Sequence, residues 1–159
     1  MIELKSPVDF RGGFVKKSLQ AKNDKIRDIV NEAADKEGID RALFNAMIYQ
    51  ESKYNPKAVS KTGAVGLGQL TRATAKELKV KNRKDPKENV EASARYLRKM
   101  LDKYKGDPIL ALMAYNWGGG NVNKWLKNGG EIKGETQNYI LEITGVKDLN
   151  KIYHGEKEK

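Results

Sequence analysis

The chain has 159 residues, no cysteine, a single histidine and a formal net charge of +10. That length suits one domain, able to bury about two-thirds of its unfolded surface without staples. The composition excludes disulfides, thiolate metal sites and a histidine cluster around the lone His154, so no metal or other cofactor is expected.

In chain order, residues 1–23 contain Gly12-Gly13 and no sustained period, and are expected to form an N-terminal arm without chemistry. Behind Asp24, Ile26, Ile29, Val30, Ala33 and Ala34 recur at three and four residues, which predicts a helix over about 25–37 closed by Gly38. Asp40 then caps a second helix that carries Glu51 near its C-terminus. Residues 53–70 hold Pro56, Gly63, Gly66 and Gly68, too broken for a long helix, and read as a structured loop with at most a tiny hairpin. Thr71 caps a short helix to Leu78. Asp85-Pro86 opens a long one, whose stripe of Val90, Ala94, Leu97, Met100, Leu101 and Tyr104 ends at Gly106.

Asp107-Pro108 repeats the start signal, and the helix that follows, Ile109 to Tyr115, is apolar nearly all round, as a buried central helix is. The stretch from Pro108 to Tyr115 is the longest apolar run, far short of the roughly 20 residues of a membrane span. Gly120 or Asn121 opens a short helix through Trp125, a core aromatic, and Gly129-Gly130 breaks it. Glu135-Thr136 begins a last helix with Tyr139, Ile140 and Ile143 inward, ended by Gly145. Residues 146–159 form a charged C-terminal tail expected to fray. The fold class that results is all-α, with the principal domain over 24–145.

The positive charge is uneven. Residues 1–40 carry eight basic and eight acidic side chains, whereas 41–120 carry sixteen against seven. Such a field steers a protein towards an anionic polymer, with binding that weakens as salt rises. Nucleic acid is the competing polyanion. The densest cluster, Lys79-Val80-Lys81-Asn82-Arg83-Lys84, has no aromatic residue for base stacking, and no specific nucleic-acid partner is expected.

Glu51 is the one carboxylate in residues 41–76. Where a buried helix opens into a cleft, a carboxyl group is held near neutrality and can hand a proton to a leaving oxygen. Lys53, two residues on, would oppose that effect unless its ammonium points into water.

The segment Glu51-Ser52-x-Tyr54-Asn55-Pro56-x-Ala58-Val59-Ser60-x-x-Gly63-Ala64-x-Gly66-Leu67-x-Gln69-Leu70 resembles the active-site signature of the soluble lytic transglycosylases. Two further blocks recur in the family's order, Ala114-Tyr115-Asn116-Trp117-Gly118-Gly119-Gly120 and Glu135-Thr136-Gln137-Asn138-Tyr139-Ile140. The resemblance implies a lysozyme-like domain with a cleft between helical lobes, and cleavage of the β-1,4 bond from N-acetylmuramic acid to N-acetylglucosamine in peptidoglycan. It implies one glutamate, Glu51, acting first as acid and then as base, assisted by the sugar's N-acetyl group, with the muramic 6-hydroxyl closing a 1,6-anhydro ring. Two carboxylates are the common solution for a glycosidic bond, but one suffices for this reaction.

The same resemblance puts Ser60 and Thr62 beside the glutamate and the sugar, makes Gln69 a substrate-side amide, and assigns Tyr115, Asn116 and Glu135 to binding or support. It also places the Tyr139 hydroxyl near Glu51. Gly68 stands where the family most often has Met, a departure that bears on a subsite wall. Partners implied are peptidoglycan strands and the anionic cell-envelope surface, engaged by a monomer at the bacterial cell wall. Met1-Ile2-Glu3-Leu4-Lys5 has no signal-peptide core, which suggests phage delivery, a virion component or a trimmed leader. The alternatives are a hydrolysing muramidase on the same scaffold and, from another class, a catalytically silent wall-binding module.

Overall fold

A computed structural model describes the backbone of residues 17–155 and the side chains of residues 24–155. The expected arm lies outside the described residues as far as 16, and its last residues are helical. Among the described residues the regular elements are α1 (Lys17–Lys36), α2 (Arg41–Ser52), α3 (Arg72–Glu77), α4 (Pro86–Lys103), α5 (Pro108–Trp117), α6 (Gly119–Asn128), α7 (Gly134–Thr144) and α8 (Leu149–His154). No strand forms among them. The expected tiny hairpin is present only as isolated bridges that Val65 makes with Val59 and with Leu70. The all-α reading therefore holds, and the fold divides into two compact units, described over 17–98 and 99–155.

In the first unit α1 packs on α2. Gly38, at φ +65°, reverses the chain after α1, and Ile39 N–H returns to Ala34 O at 2.8 Å, satisfying a carbonyl that the helix end would otherwise leave open. Asp40 then caps α2 through Leu43 N at 2.9 Å. Phe44, Met47 and Ile48 of α2 are fully buried, each stabilising by about 1.5–3 kcal/mol relative to exposure. A small cluster of Leu70, Ala75 and Ala92, with Leu78 and Val80 against it, fastens α3 and the following loop to α4.

In the second unit α5 contacts both α6 and α7, and every residue from Ile109 to Ala114 is buried, the central helix that its composition predicts. Asp107 caps it with Oδ1 accepting from Ile109 N at 2.9 Å and Leu110 N at 3.2 Å. Burial pushes the Asp107 carboxyl above its ordinary value, although its hydrogen bonds act the other way.

The C-terminal segment departs from expectation. Residues 149–154 form α8, with Leu149 buried and Asn150 accepting from Trp125 Nε1 at 2.8 Å. Asn150 Nδ2 also donates to Gly130 O at 3.1 Å. Tyr153 stacks edge-on against Trp125, with ring centroids 5.5 Å apart, and its hydroxyl donates to Asp107 Oδ2 at 2.9 Å. Leu149, Ile152 and Tyr153 carry the helical spacing, and buried indole and carboxylate groups needing partners supply the reason to order so charged a segment.

Candidate active site

Glu51 occupies the last turn of α2 and is half-buried. The helix stops abruptly after it because Lys53 and Tyr54 both adopt left-handed backbone, at φ +52° and +62°. Non-glycine residues take that conformation at some cost, and here the Tyr54 side chain holds it. Its ring is buried and meets Tyr49 edge-on at 5.5 Å, and its hydroxyl donates to Asn45 Oδ1 at 2.8 Å. Asn45 in turn donates to Asn31 Oδ1 at 2.7 Å and to Arg41 O at 2.8 Å. Burial raises the Tyr54 phenol above its ordinary value, with a hydrogen bond from Arg27 opposing, so it stays a neutral donor. Lys53 is exposed.

The loop after this reversal is knitted by its own backbone. Gly66 N donates to Ala58 O at 2.8 Å, and Val65 and Leu70 exchange two bonds of 3.0 Å. Ser60 and Thr62 are brought together, their hydroxyls 3.1 Å apart, and Ser60 Oγ accepts from Ala64 N at 3.0 Å. These two hydroxyls therefore shape the turn itself, with Ser60 half-buried and Thr62 exposed. Gln69 sits at φ +51° and spends its amide nitrogen on Ala58 O at 3.1 Å and Gly66 O at 3.0 Å. The group left for a ligand is its carbonyl oxygen.

Gly66, at φ +87°, cannot carry a side chain, because a Cβ there would lie nearer than 3.0 Å to Asn89 Nδ2 and to Arg83 O. Arg83 Nη1 donates to Gly63 O and Leu70 O, both at 3.0 Å. Neither Asn89 nor Arg83 stands out in the sequence as a site residue. Asn89 and Ser93, polar residues four apart beside the apolar stripe of α4, are the available signal, readable only once the loop they hold is known.

The other expected residues lie on the second unit. Tyr115 and Asn116 end α5 and are half-buried, whereas Tyr139 of α7 is 5 % exposed. Asn116 Nδ2 donates to Glu135 Oε2 at 3.3 Å, and Asn116 Oδ1 accepts from Thr136 Oγ1 at 2.8 Å. Glu135 is exposed, with Lys133 Nζ 3.7 Å from its Oε1. Thr136 is fully buried and was not singled out by pattern, although it orients the Asn116 amide. Half-buried aromatic and amide groups at the end of a buried helix suit the hydroxyls and ring faces of a sugar.

The described residues contain no group of three or more acidic, His or Cys side chains able to hold a metal ion, and no helix long and apolar enough to cross a membrane. The profile of the Transglycosylase SLT domain matches residues 28–138. The chain is 41% identical over 104 residues to a membrane-bound lytic murein transglycosylase F of Desulfosudis oleivorans, covering 62% of this chain and 23% of that protein. The corresponding protein of Pseudoalteromonas translucida is 45% identical over 92 residues, covering 54% and 19%. Among solved structures, the 70-kDa soluble lytic transglycosylase of Escherichia coli superposes with a TM-score of 0.66 at 26% identity, over 82% of this chain and 24% of that one. An inactive mutant of the lytic transglycosylase Slt from Pseudomonas aeruginosa gives 0.61 at 29% identity, over 80% and 22%. The chain thus spans about a quarter or less of the length of these relatives. Since the profile match runs from within α1 into α7 and takes in both Glu51 and the Asn116–Glu135 pair, the chain belongs to the transglycosylase SLT domain family.

Proposed function

We propose that this chain is the catalytic domain of a peptidoglycan lytic transglycosylase, acting at the bacterial cell wall on the bond from N-acetylmuramic acid to N-acetylglucosamine. The observation that carries the reading is Glu51. It is the lone carboxylate of its segment, fixed at the end of α2 by a left-handed reversal and followed by the loop of the family's signature. Glu51 donates its proton to the leaving 4-oxygen as the glycosidic bond breaks, while the sugar's own N-acetyl group stabilises the positive anomeric carbon. The resulting carboxylate then takes the proton of the muramic 6-hydroxyl as that oxygen bonds to the anomeric carbon. No water is consumed, and the acid is regenerated.

The remaining residues bind or support. Gln69 presents its carbonyl oxygen to a sugar hydroxyl or amide, and Ser60 and Thr62 keep the loop in shape. Asn116, held by Glu135 and Thr136, and the ring of Tyr115 form a second binding surface, to which the family resemblance adds the Tyr139 hydroxyl. The preference for an anionic wall has a local basis in Lys76, Lys79, Lys81, Lys84 and Lys87, all exposed. Two carboxylates among them are tied to the backbone: Glu88 accepts from Lys81 N and Asn82 N, and Asp85 from Glu88 N. Mass spectrometry of the fragments released from purified walls tests the reaction. 1,6-Anhydromuramic ends support it, whereas reducing ends, heavier by one water, would make the enzyme a hydrolysing muramidase, and no release would leave a wall-binding module.

A further inference from the structure

The Asn89 side chain lies fully buried in the first turns of α4. Its Oδ1 accepts from Gly68 N at 2.8 Å, and its Nδ2 donates to Val65 O at 3.0 Å and to Arg83 O at 2.8 Å. Ser93 Oγ, donating to Asn89 O at 2.9 Å and lying 3.3 Å from Oδ1, steadies the group from the next turn. One planar head thus ties two points of the glycine-rich loop and the basic segment to a rigid helix. Only a primary amide offers an acceptor and two donors in a single plane, and burial makes each of those bonds necessary. The absence of room for any Cβ at Gly66 shows how closely the loop is drawn onto this amide.

We infer that Asn89 is a positioning residue for glycan binding: by clamping Val65 and Gly68 to α4 it fixes the backbone on which Gln69 is displayed. Gln69 depends on that backbone twice, through its own φ of +51° and through the Gly66 carbonyl to which its amide is tied. The inference rests on the function proposed above. The bonds of Asn89 go to Gly68, Val65 and Arg83, and Glu51 lies on a different helix, α2.

Asn89→Asp keeps the size and the acceptor for Gly68 but sets an oxygen against the carbonyls of Val65 and Arg83, which opens the clamp. The KM for glycan strands is expected to rise at least about tenfold while kcat stays within about twofold, the signature of lost binding rather than lost chemistry. A fault that merely reduced the folded fraction would lower apparent kcat and leave KM unchanged. Ser93→Ala, which suits a helix, preserves folding and should raise KM by about two- to threefold. Amide hydrogen exchange gives a readout independent of turnover: in Asn89→Asp, the amides of Gly66 and Leu70 should exchange about tenfold faster while those of α2 and α5 do not change. Unaltered KM in both variants of an active enzyme, or unaltered exchange at Gly66 and Leu70, would overturn the inference. Inactivity of the unmodified protein would refute the proposed function instead, and exchange would still decide whether the clamp exists.

Discussion

Gly63 and Gly66 form a matched pair, with φ of +88° and +87°, and differ in what surrounds them. A Cβ on Gly63 meets nothing within 4 Å, whereas one on Gly66 strikes the Asn89 amide and the Arg83 carbonyl. Gly63→Ala therefore isolates the backbone term, about 1–2 kcal/mol for an L-residue held at positive φ. Gly66→Ala carries that term and also forces Asn89 aside. Its Nδ2 would lose bonds to Val65 O and Arg83 O, each worth about 1 kcal/mol net, with about 1–3 kcal/mol more where a buried polar group is left unsatisfied. The excess of Gly66→Ala over Gly63→Ala is thus about 3–5 kcal/mol. For a chain of this size that is roughly 6–20 °C of additional loss in Tm. Urea denaturation of the three proteins, read by circular dichroism, gives the comparison directly, provided that the m-values agree. Equal midpoints for the two alanine variants would refute the packing of loop on α4 and the argument built on it.

Tyr139→Phe retains the buried ring and removes one polar group. If the hydroxyl serves Glu51 or the sugar, turnover falls about tenfold for each 1.4 kcal/mol of transition-state stabilisation lost, with Tm nearly unaltered; a fall in Tm with unchanged turnover per folded molecule would make it a structural tyrosine. Asp107, whose carboxyl is raised by burial, binds its proton more tightly folded than unfolded. The stability this proton contributes is fully present below the ordinary value of 3.8 and is lost as pH rises through the raised folded value. The stability of the wild type minus that of Asp107→Asn should accordingly decline with rising pH across that window, and a difference that grows with pH would contradict the assignment. Activity on intact walls should fall steeply with added salt while cleavage of a short uncharged oligosaccharide changes little, since surface charge acts over a screening length of about 10 Å at 0.1 M; equal salt sensitivity would remove the charge-steering argument.

Much of the fold was legible because its punctuation is local. Asp40, Thr71 and Asp107 cap helices through their own side chains, and Gly38, Gly129 and Gly145 sit at the reversals where glycine is favoured. The three blocks likewise singled out Glu51, Gln69, Asn116, Glu135 and Tyr139 as candidates, of which the structure joins Asn116 to Glu135. Long-range partnerships were not legible. The bonds from Asn89 to residues 65 and 68 join positions more than 20 apart, and Thr136 acquires meaning only through Asn116. For α8 the spacing was present, but the charge of the tail concealed it. Its order comes from Trp125 and Asp107, distant groups whose need for partners no local window contains. Gln69 is the instructive middle case: its identity pointed to a ligand, and the structure commits half of its amide to the loop.

The central claim is that one carboxyl group performs both proton transfers. Glu51→Gln keeps the shape of the side chain and removes its acid and its base. Measured on purified peptidoglycan beside a sedimentation assay for wall binding, this variant should bind as the wild type does, with an unchanged Tm, and cleave at least about a hundredfold more slowly, the lower end of what a positioned general acid supplies. Near-full release of muropeptides by Glu51→Gln would contradict the mechanism.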